Sequence, residues 1–260
     1  MKLTSRPDLL KYLTLGAGGL GLALRVILYT TGIDGRNLLE TGHWAHIALW
    51  VLTFAVVGII FTATRSLEGS ADPASFCPMS YAGSLGAFAA MVGIGITTVS
   101  EFAEFSNTLH LLVWALGIGA TISLGCIGIC RLMGKQPHFL CNVILCLYFA
   151  LRMVSQYQMW SSDPQLQDYC FYLISYVALM LTAYHHGAFG ADMGSHKQLW
   201  RFSLGAVYFI CLSLNGGIDT FLMLGCGAWA VTNLTALQIH PRRQRPALNW
   251  DETETPKTEE

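Results

Sequence analysis

Apolar residues in this chain are collected in blocks of about 20 residues that are separated by short polar segments. A block of that length crosses the roughly 30 Å of hydrocarbon in a bilayer, because a helix rises about 1.5 Å per residue. The pattern therefore predicts an all-α fold, a polytopic transmembrane helix bundle. The predicted spans are eight segments, near Leu9–Thr31, Trp44–Thr64, Ser80–Val99, Leu109–Arg131, His138–Met159, Leu166–His185, Leu199–Leu214 and Gly217–Leu237.

The number of spans depends on the region from Leu199 to Leu237, which is too long for one span. Asn215, Gly216 and Gly217 interrupt it, and such residues are typical of turns. We therefore predict a hairpin of two spans rather than one long helix.

Lysine and arginine in short loops predict the orientation, because these residues resist translocation across the membrane. With eight spans, only Arg36 lies in a loop on the outer side. Both termini are therefore predicted to be cytoplasmic. The protein itself is predicted to lie in the inner (plasma) membrane of a cell. Twelve basic residues fall on the inner side: Lys2, Arg6, Lys11, Arg65, Arg131, Lys135, Lys197, Arg201, Arg242, Arg243, Arg245 and Lys257.

Two parts of the chain differ in composition. Residues 1–239 form the predicted transmembrane bundle, whereas residues 240–260 are polar, contain three prolines and end in a run of Thr and Glu. Such a composition cannot bury enough apolar surface to fold, so we predict a disordered cytoplasmic tail. All loops between spans are short, and no soluble domain is expected.

The overall composition agrees with a membrane protein and excludes a nucleic-acid-binding surface. Hydrophobic residues make up 53% of the chain and charged residues only 12%, about half of the charged fraction that is usual in soluble domains. The net charge is −1, and basic residues are dispersed rather than gathered in a stripe. The expected partner is the lipid bilayer, and nothing in the sequence assigns an oligomeric state.

One glycine motif could be mistaken for a nucleotide site. Residues 16–21 read GAGGLG, which matches the dinucleotide-binding pattern GxGxxG. That pattern binds a pyrophosphate only where a strand turns into a helix, and here it lies inside a span. We interpret these glycines as contacts that let a neighbouring helix approach closely.

Charged residues inside the spans are the main functional candidates, because each costs at least ~2.5 kcal/mol unless it is paired or hydrated. Arg25 and Arg152 both lie in the outer halves of their helices, and Arg25 shares a face with Gly18 and Gly21. Carboxylates occur at the same depth, so an Arg–carboxylate network is expected. The predicted network comprises Arg25, Arg152, Gln156, Glu101, Glu104, Asp163, Asp168 and Asp219.

Three interpretations of this network remain open. The ion pairs could lock the bundle together and have no other role. Alternatively, they could line an outward-facing polar pocket for a small polar or anionic ligand. Finally, the arginines could extend their side chains to the membrane interface without any partner.

Histidines at the outer surface give a second candidate site. His43 and His46 open the second span and His110 lies early in the fourth, at the level of Glu101 and Glu104. Imidazole and carboxylate ligands suit zinc or iron, and no other cofactor is expected. Histidines are also ordinary residues at membrane interfaces.

The sixth span carries a third polar pattern. Asp168, Tyr172, Ser175 and Thr182 lead to His185 and His186 on the cytoplasmic side, a stripe that could carry protons or pack against neighbouring helices. Packing is favoured. With this interpretation, the bundle is polar in its outer half and has no functional feature in its inner half.

The N-terminal fifth of the chain resembles uncharacterised multi-spanning bacterial membrane proteins. The resemblance is carried by Leu24-Arg25, by residues 31–35 with the sequence TGIDG, and by His43. It implies a membrane location and assigns no activity.

Three hypotheses therefore remain. The favoured one is a small-molecule or ion transporter, or a ligand-binding membrane protein, with an outward-facing polar pocket. The alternatives are an intramembrane metalloenzyme at the outer His and Glu residues and a structural or regulatory membrane subunit. A function other than catalysis is favoured.

Overall fold

The computed structural model describes residues 7–32, 42–65, 79–102, 108–161, 166–191, 193–214 and 219–236. The chain is all-helical within these ranges, and every predicted span coincides with a helix. The helices are α1 (Pro7–Thr31), α2 (Trp44–Thr64), α3 (Tyr81–Glu101), α4 (Thr108–Leu132), α5 (Phe139–Trp160), α6 (Leu166–Gly190), α7 (His196–Ser213) and α8 (Asp219–Ala236).

Five of these helices, α1 to α5, are long and apolar enough to cross a membrane. The last three helices contain more polar residues, such as His185 and His186 in α6 and Lys197 and Arg201 in α7. The chain is therefore a membrane protein by the length and composition of its first five helices. The contribution of α6 to α8 as spans stays a prediction.

Odd-numbered helices run in one direction and even-numbered helices in the other. In α3 and α8, for example, Gly93 lies beside Phe221 and Gly86 lies beside Thr232, which is an antiparallel arrangement. One end of the bundle thus holds the ends of α3 and α5 with the starts of α6 and α8. We call it the Glu101 end, and we call the opposite end, where α4 finishes, the Arg131 end.

The closest helix pair is α3 and α8, which glycines bring together. A Cβ atom at Gly225 would lie 2.5 Å from the carbonyl oxygen of Ala89, and a Cβ at Gly86 would overlap Thr232. Backbones can approach this closely only where side chains are absent. The contact holds the first residue of α8, Asp219, next to the last residue of α3, Glu101.

Two of the α1 glycines have the packing role that the sequence predicts. A Cβ at Gly18 would lie 2.9 Å from the Cβ of Cys211, and one at Gly21 would lie 2.6 Å from Leu212, both on α7. Gly16 and Gly19 have open space around them. Arg25 continues the packed face and is only 4% exposed, so the prediction that this face looks into the bundle is confirmed.

The prediction that only one half of the bundle carries polar features is wrong. The Arg131 end buries several polar side chains, including Arg131, Asn142, His186 and Asn233. Arg131 lies in the last turn of α4 and is 2% exposed, whereas its cytoplasmic position stays a prediction. The sequence could not reveal this burial, because it depends on which helices pack around the end of α4.

Candidate functional site: an arginine between two carboxylates

Arg152 binds two carboxylates from two other helices. It lies on α5, is 4% exposed, and forms ion pairs with Glu101 at the end of α3 and with Asp219 at the start of α8. The Nη2–Oδ1 distance to Asp219 is 2.8 Å, and Nη1 donates to Oε1 of Glu101. One guanidinium thus joins three helices that are distant in sequence.

The positions of the two carboxylates have different electrostatic consequences. Asp219 lies in the first turn of α8, where the partial positive charge of the helix N-terminus stabilises it. Glu101 is the last residue of α3, where the helix dipole is unfavourable for an anion. Glu101 therefore depends more on Arg152 for its charge to be stabilised.

Side chains of this cluster are less exposed the deeper they lie in the bundle. The side chains of Glu101 and Asp219 are 30% and 25% exposed, whereas that of Arg152 is 5% exposed. The α-carbon of Arg152 lies about 12 Å below the end of α5, because eight residues separate it from Trp160. The cluster thus has a buried cationic base and two anionic groups that solvent can reach.

Four residues at four-residue intervals lie on the face of α5 that carries Arg152. Tyr148, Arg152, Gln156 and Trp160 lie on one face of the helix, and the first three are buried. Tyr148 and Tyr176 are within electrostatic range of the Arg152 guanidinium. Above Arg152, the helix face therefore continues through Gln156 to a half-buried indole at the Glu101 end.

Aromatic side chains from α6 complete the wall next to the carboxylates. The Tyr172 and Tyr176 hydroxyls are 3.0 Å apart, and Tyr172 is within electrostatic range of Asp219. The Tyr172 ring is 5.1 Å from the Trp160 ring between centroids, and Trp160 stacks on Tyr169 at 4.0 Å. Several aromatic rings therefore lie within one or two side-chain lengths of the charged cluster.

The other predicted network residues are placed differently. Arg25 donates to the carbonyl oxygen of Leu212 and, at 3.1 Å, to the Tyr29 hydroxyl, so it belongs to the α1–α7 contact. Glu104, Asp163 and the side chain of Asp168 lie outside the described residues.

The histidines proposed as metal ligands have other partners. His43 caps the start of α2 by accepting from the backbone N–H of Ala45, and His46 accepts from the Trp50 indole at 3.0 Å. His110 lies in the first turn of α4. Within the described ranges, no three His, Cys, Asp or Glu side chains are arranged to hold a metal ion. The zinc or iron hypothesis also needs Glu104 and stays a prediction.

The polar stripe on α6 is mainly bonded within its own helix. Ser175 donates to the carbonyl oxygen of Tyr172 and Thr182 to that of Ala178. His185 stacks on Phe202 of α7, and the His186 ring is 5.5 Å from that of Trp229. These contacts favour helix packing for the stripe.

Sequence reasoning missed Tyr148, Tyr176 and Trp160. A signal was present, because the four-residue spacing from Tyr148 to Trp160 passes through Arg152. Tyr176 also follows Tyr172 by one helical turn. An arginine within such an aromatic face is more informative than the same arginine considered alone.

A groove of about 450 Å³ lies on the outside of the α3–α8 pair. Its lining is apolar and largely exposed, so a polar ligand would find no hydrogen-bonding side chain there. The lining residues are Leu85, Phe88, Ala89, Val92, Gly93, Ile96, Phe221, Leu224 and Gly225.

No protein-family model, curated protein or solved structure matches this chain. Among the described residues of the cluster, one guanidinium lies between two carboxylates, which leaves one negative charge in surplus when both are ionised. Such a cluster attracts a cation and repels an anion.

Proposed function

We propose that the chain is an inner-membrane protein with eight spans and cytoplasmic termini, and that it binds a cation from the outer side. The proposed class is an ion or small-molecule transporter, or a ligand-binding membrane protein. The Glu101 end is the outer end in this proposal. The resemblance to uncharacterised bacterial membrane proteins agrees with it and stays a prediction.

One observation carries the proposal: Arg152 is buried between two carboxylates that remain partly exposed. The two carboxylates more than neutralise the guanidinium charge, so an anionic ligand would be repelled by the cluster as a whole. We therefore propose a cation in place of the small polar or anionic ligand expected from the sequence alone. The one negative charge in excess attracts the cation, and the partial exposure of both carboxylates lets the cation reach them.

A second candidate role is supported by the same contacts. Arg152 joins α3, α5 and α8, as a structural or regulatory subunit locked by ion pairs would require. In that case, the surplus negative charge would have no ligand. The two roles differ in a single measurable property, which is saturable binding of a cation.

The test is calorimetric titration of the full chain in lipid nanodiscs with the chlorides of sodium, potassium, calcium and tetramethylammonium, and with phosphate at a constant, saturating sodium concentration so that only the anion varies. We expect at least one cation to give saturable heat and phosphate to give none. Glu101→Gln should weaken the cation binding at least tenfold. Glu68→Gln, at a carboxylate predicted on the opposite side of the membrane, is the matched control and should leave binding unchanged.

Phosphate binding would contradict the proposal. Unchanged cation affinity in both Glu101→Gln and Asp219→Asn would contradict it equally, because the surplus charge would then have no role. Absence of heat with every salt would favour the structural role.

A further inference from the structure

Basic side chains from α2 and α7 meet at the Arg131 end of the bundle. Arg65 caps the end of α2, and Lys197 and Arg201 lie on one face in the first two turns of α7. Lys197 Nζ donates to the carbonyl oxygen of Arg65 at 3.4 Å, and Arg201 Nε donates to Thr64 Oγ1 at 2.7 Å. We call Arg65, Lys197 and Arg201 the basic patch.

The positive charge of the basic patch has no carboxylate partner among the described residues. Both described ion pairs belong to Arg152, and their carboxylates, Glu101 and Asp219, lie at the opposite end of the bundle. The N-terminus of α7 adds a partial positive charge, because its N-cap residue, Ser195, makes no side-chain hydrogen bond to the first turn. The three cations and this helix end therefore attract an anion.

The basic patch borders the lipid-facing surface of α2. This helix is long and apolar enough to cross a membrane, and Phe61, one turn before its end, is 59% exposed. The Arg201 guanidinium lies over the exposed Phe61 ring, with Cζ 3.9 Å from the ring centroid. An arginine beside the last turn of a span lies at the level of the lipid headgroups. The anion that membranes supply at that level is the phosphate of a phospholipid.

From these observations, we propose that the basic patch binds the headgroup of an anionic phospholipid whose acyl chains lie along the exposed face of α2. Arg201 uses Nε and Nη2 to donate to Thr64 and to the carbonyl oxygen of Phe61, so its Nη1 group can donate to the lipid phosphate. Lys197 and Arg65 add charge that attracts an anionic headgroup. The inference is independent of the cation site, which lies at the opposite end of the bundle.

The test is native mass spectrometry of the full chain in detergent micelles, titrated with dioleoylphosphatidylglycerol or dioleoylphosphatidylcholine. These lipids have the same acyl chains, and only phosphatidylglycerol carries a net charge, so it should bind roughly tenfold more tightly or better. Lys197→Gln and Arg65→Gln, which keep the Arg201 hydrogen bonds, should each lower its affinity about fivefold, which corresponds to about 1 kcal/mol per basic residue. Lys135→Gln is the matched control, because Lys135 is exposed at the same end, between α4 and α5, and its loss should have no effect.

The outcomes distinguish a lipid from other ligands of the same charge. Preference for phosphatidylglycerol that falls in Lys197→Gln and Arg65→Gln, but not in Lys135→Gln, supports the inference. Equal affinity of the wild-type chain for both lipids overturns it, as does unchanged phosphatidylglycerol affinity in the double variant Arg65→Gln/Lys197→Gln. Displacement of phosphatidylglycerol by an equal concentration of free glycerol phosphate also overturns it, because the ligand would then be a soluble phosphate compound.

Discussion

Replacing Arg152 with methionine leaves Glu101 and Asp219 close together without their shared cation. Removal of one partner from a buried ion pair costs about 3–5 kcal/mol. The two carboxylates here are 30% and 25% exposed, and water can solvate part of their charge. We therefore expect the free energy of unfolding to fall by about 3 kcal/mol, the lower end of that range.

The reasoning is tested by restoring neutrality. Adding Glu101→Gln and Asp219→Asn to Arg152→Met removes the unpaired charges and should recover about 2 kcal/mol, because neutral replacements of buried ion pairs are well tolerated. The same two substitutions in an Arg25→Met background should lower stability further, since they leave the buried Arg152 without its carboxylates, whereas Arg25 contacts Leu212 and Tyr29. The assay is equilibrium unfolding in mixed detergent micelles, analysed as a double-mutant cycle.

A coupling energy near zero between Arg152 and the two carboxylates would refute the reasoning. Equal recovery in the Arg152→Met and Arg25→Met backgrounds would refute it as well. In either case, the contribution of the two carboxylates to stability would be independent of the Arg152 ion pairs.

Three further predictions concern helix packing, topology and the N-terminus of α8. Gly225→Ala should destabilise the bundle by about 1–3 kcal/mol through overpacking, because its Cβ would lie 2.5 Å from the Ala89 carbonyl oxygen. Gly16→Ala, which has open space, should be neutral or slightly stabilising in the same unfolding assay. Alkaline phosphatase inserted after residue 163 should be active and a green fluorescent protein inserted after residue 135 should fluoresce, whereas the reverse pattern would contradict the proposed orientation. Asp219→Asn should cost more stability than Glu101→Gln, because it removes a charge that the α8 dipole favours, whereas Glu101→Gln removes one that the α3 dipole disfavours, and a larger loss at Glu101 would contradict this ranking.

The sequence was sufficient for the helices because each span is a block of apolar residues, a local property. Trp44–Thr64 was predicted at the same bounds as the structure gives. The start of α7 was less well predicted, since His196, Lys197 and Gln198 are polar but still helical. Polar residues at a helix end interrupt an apolar block without ending the helix.

The partners of Arg152 could not be selected from the sequence. Several carboxylates lay at a suitable depth, and only the close α3–α8 contact brings Glu101 and Asp219 to the same guanidinium. That contact depends on glycines whose neighbours are unknown before the fold is known. The burial of Arg131 was missed for the same reason, because a basic residue at a helix end is usually solvated.

The most direct test of the account is the stoichiometry of cation binding to the wild-type chain and to the Glu101→Gln/Asp219→Asn variant, measured by calorimetry at neutral pH. One surplus negative charge at the Arg152 cluster predicts one saturable cation site in the wild-type chain and none in the variant. Saturable cation binding that persists in the double variant would contradict the assignment of the site to this cluster.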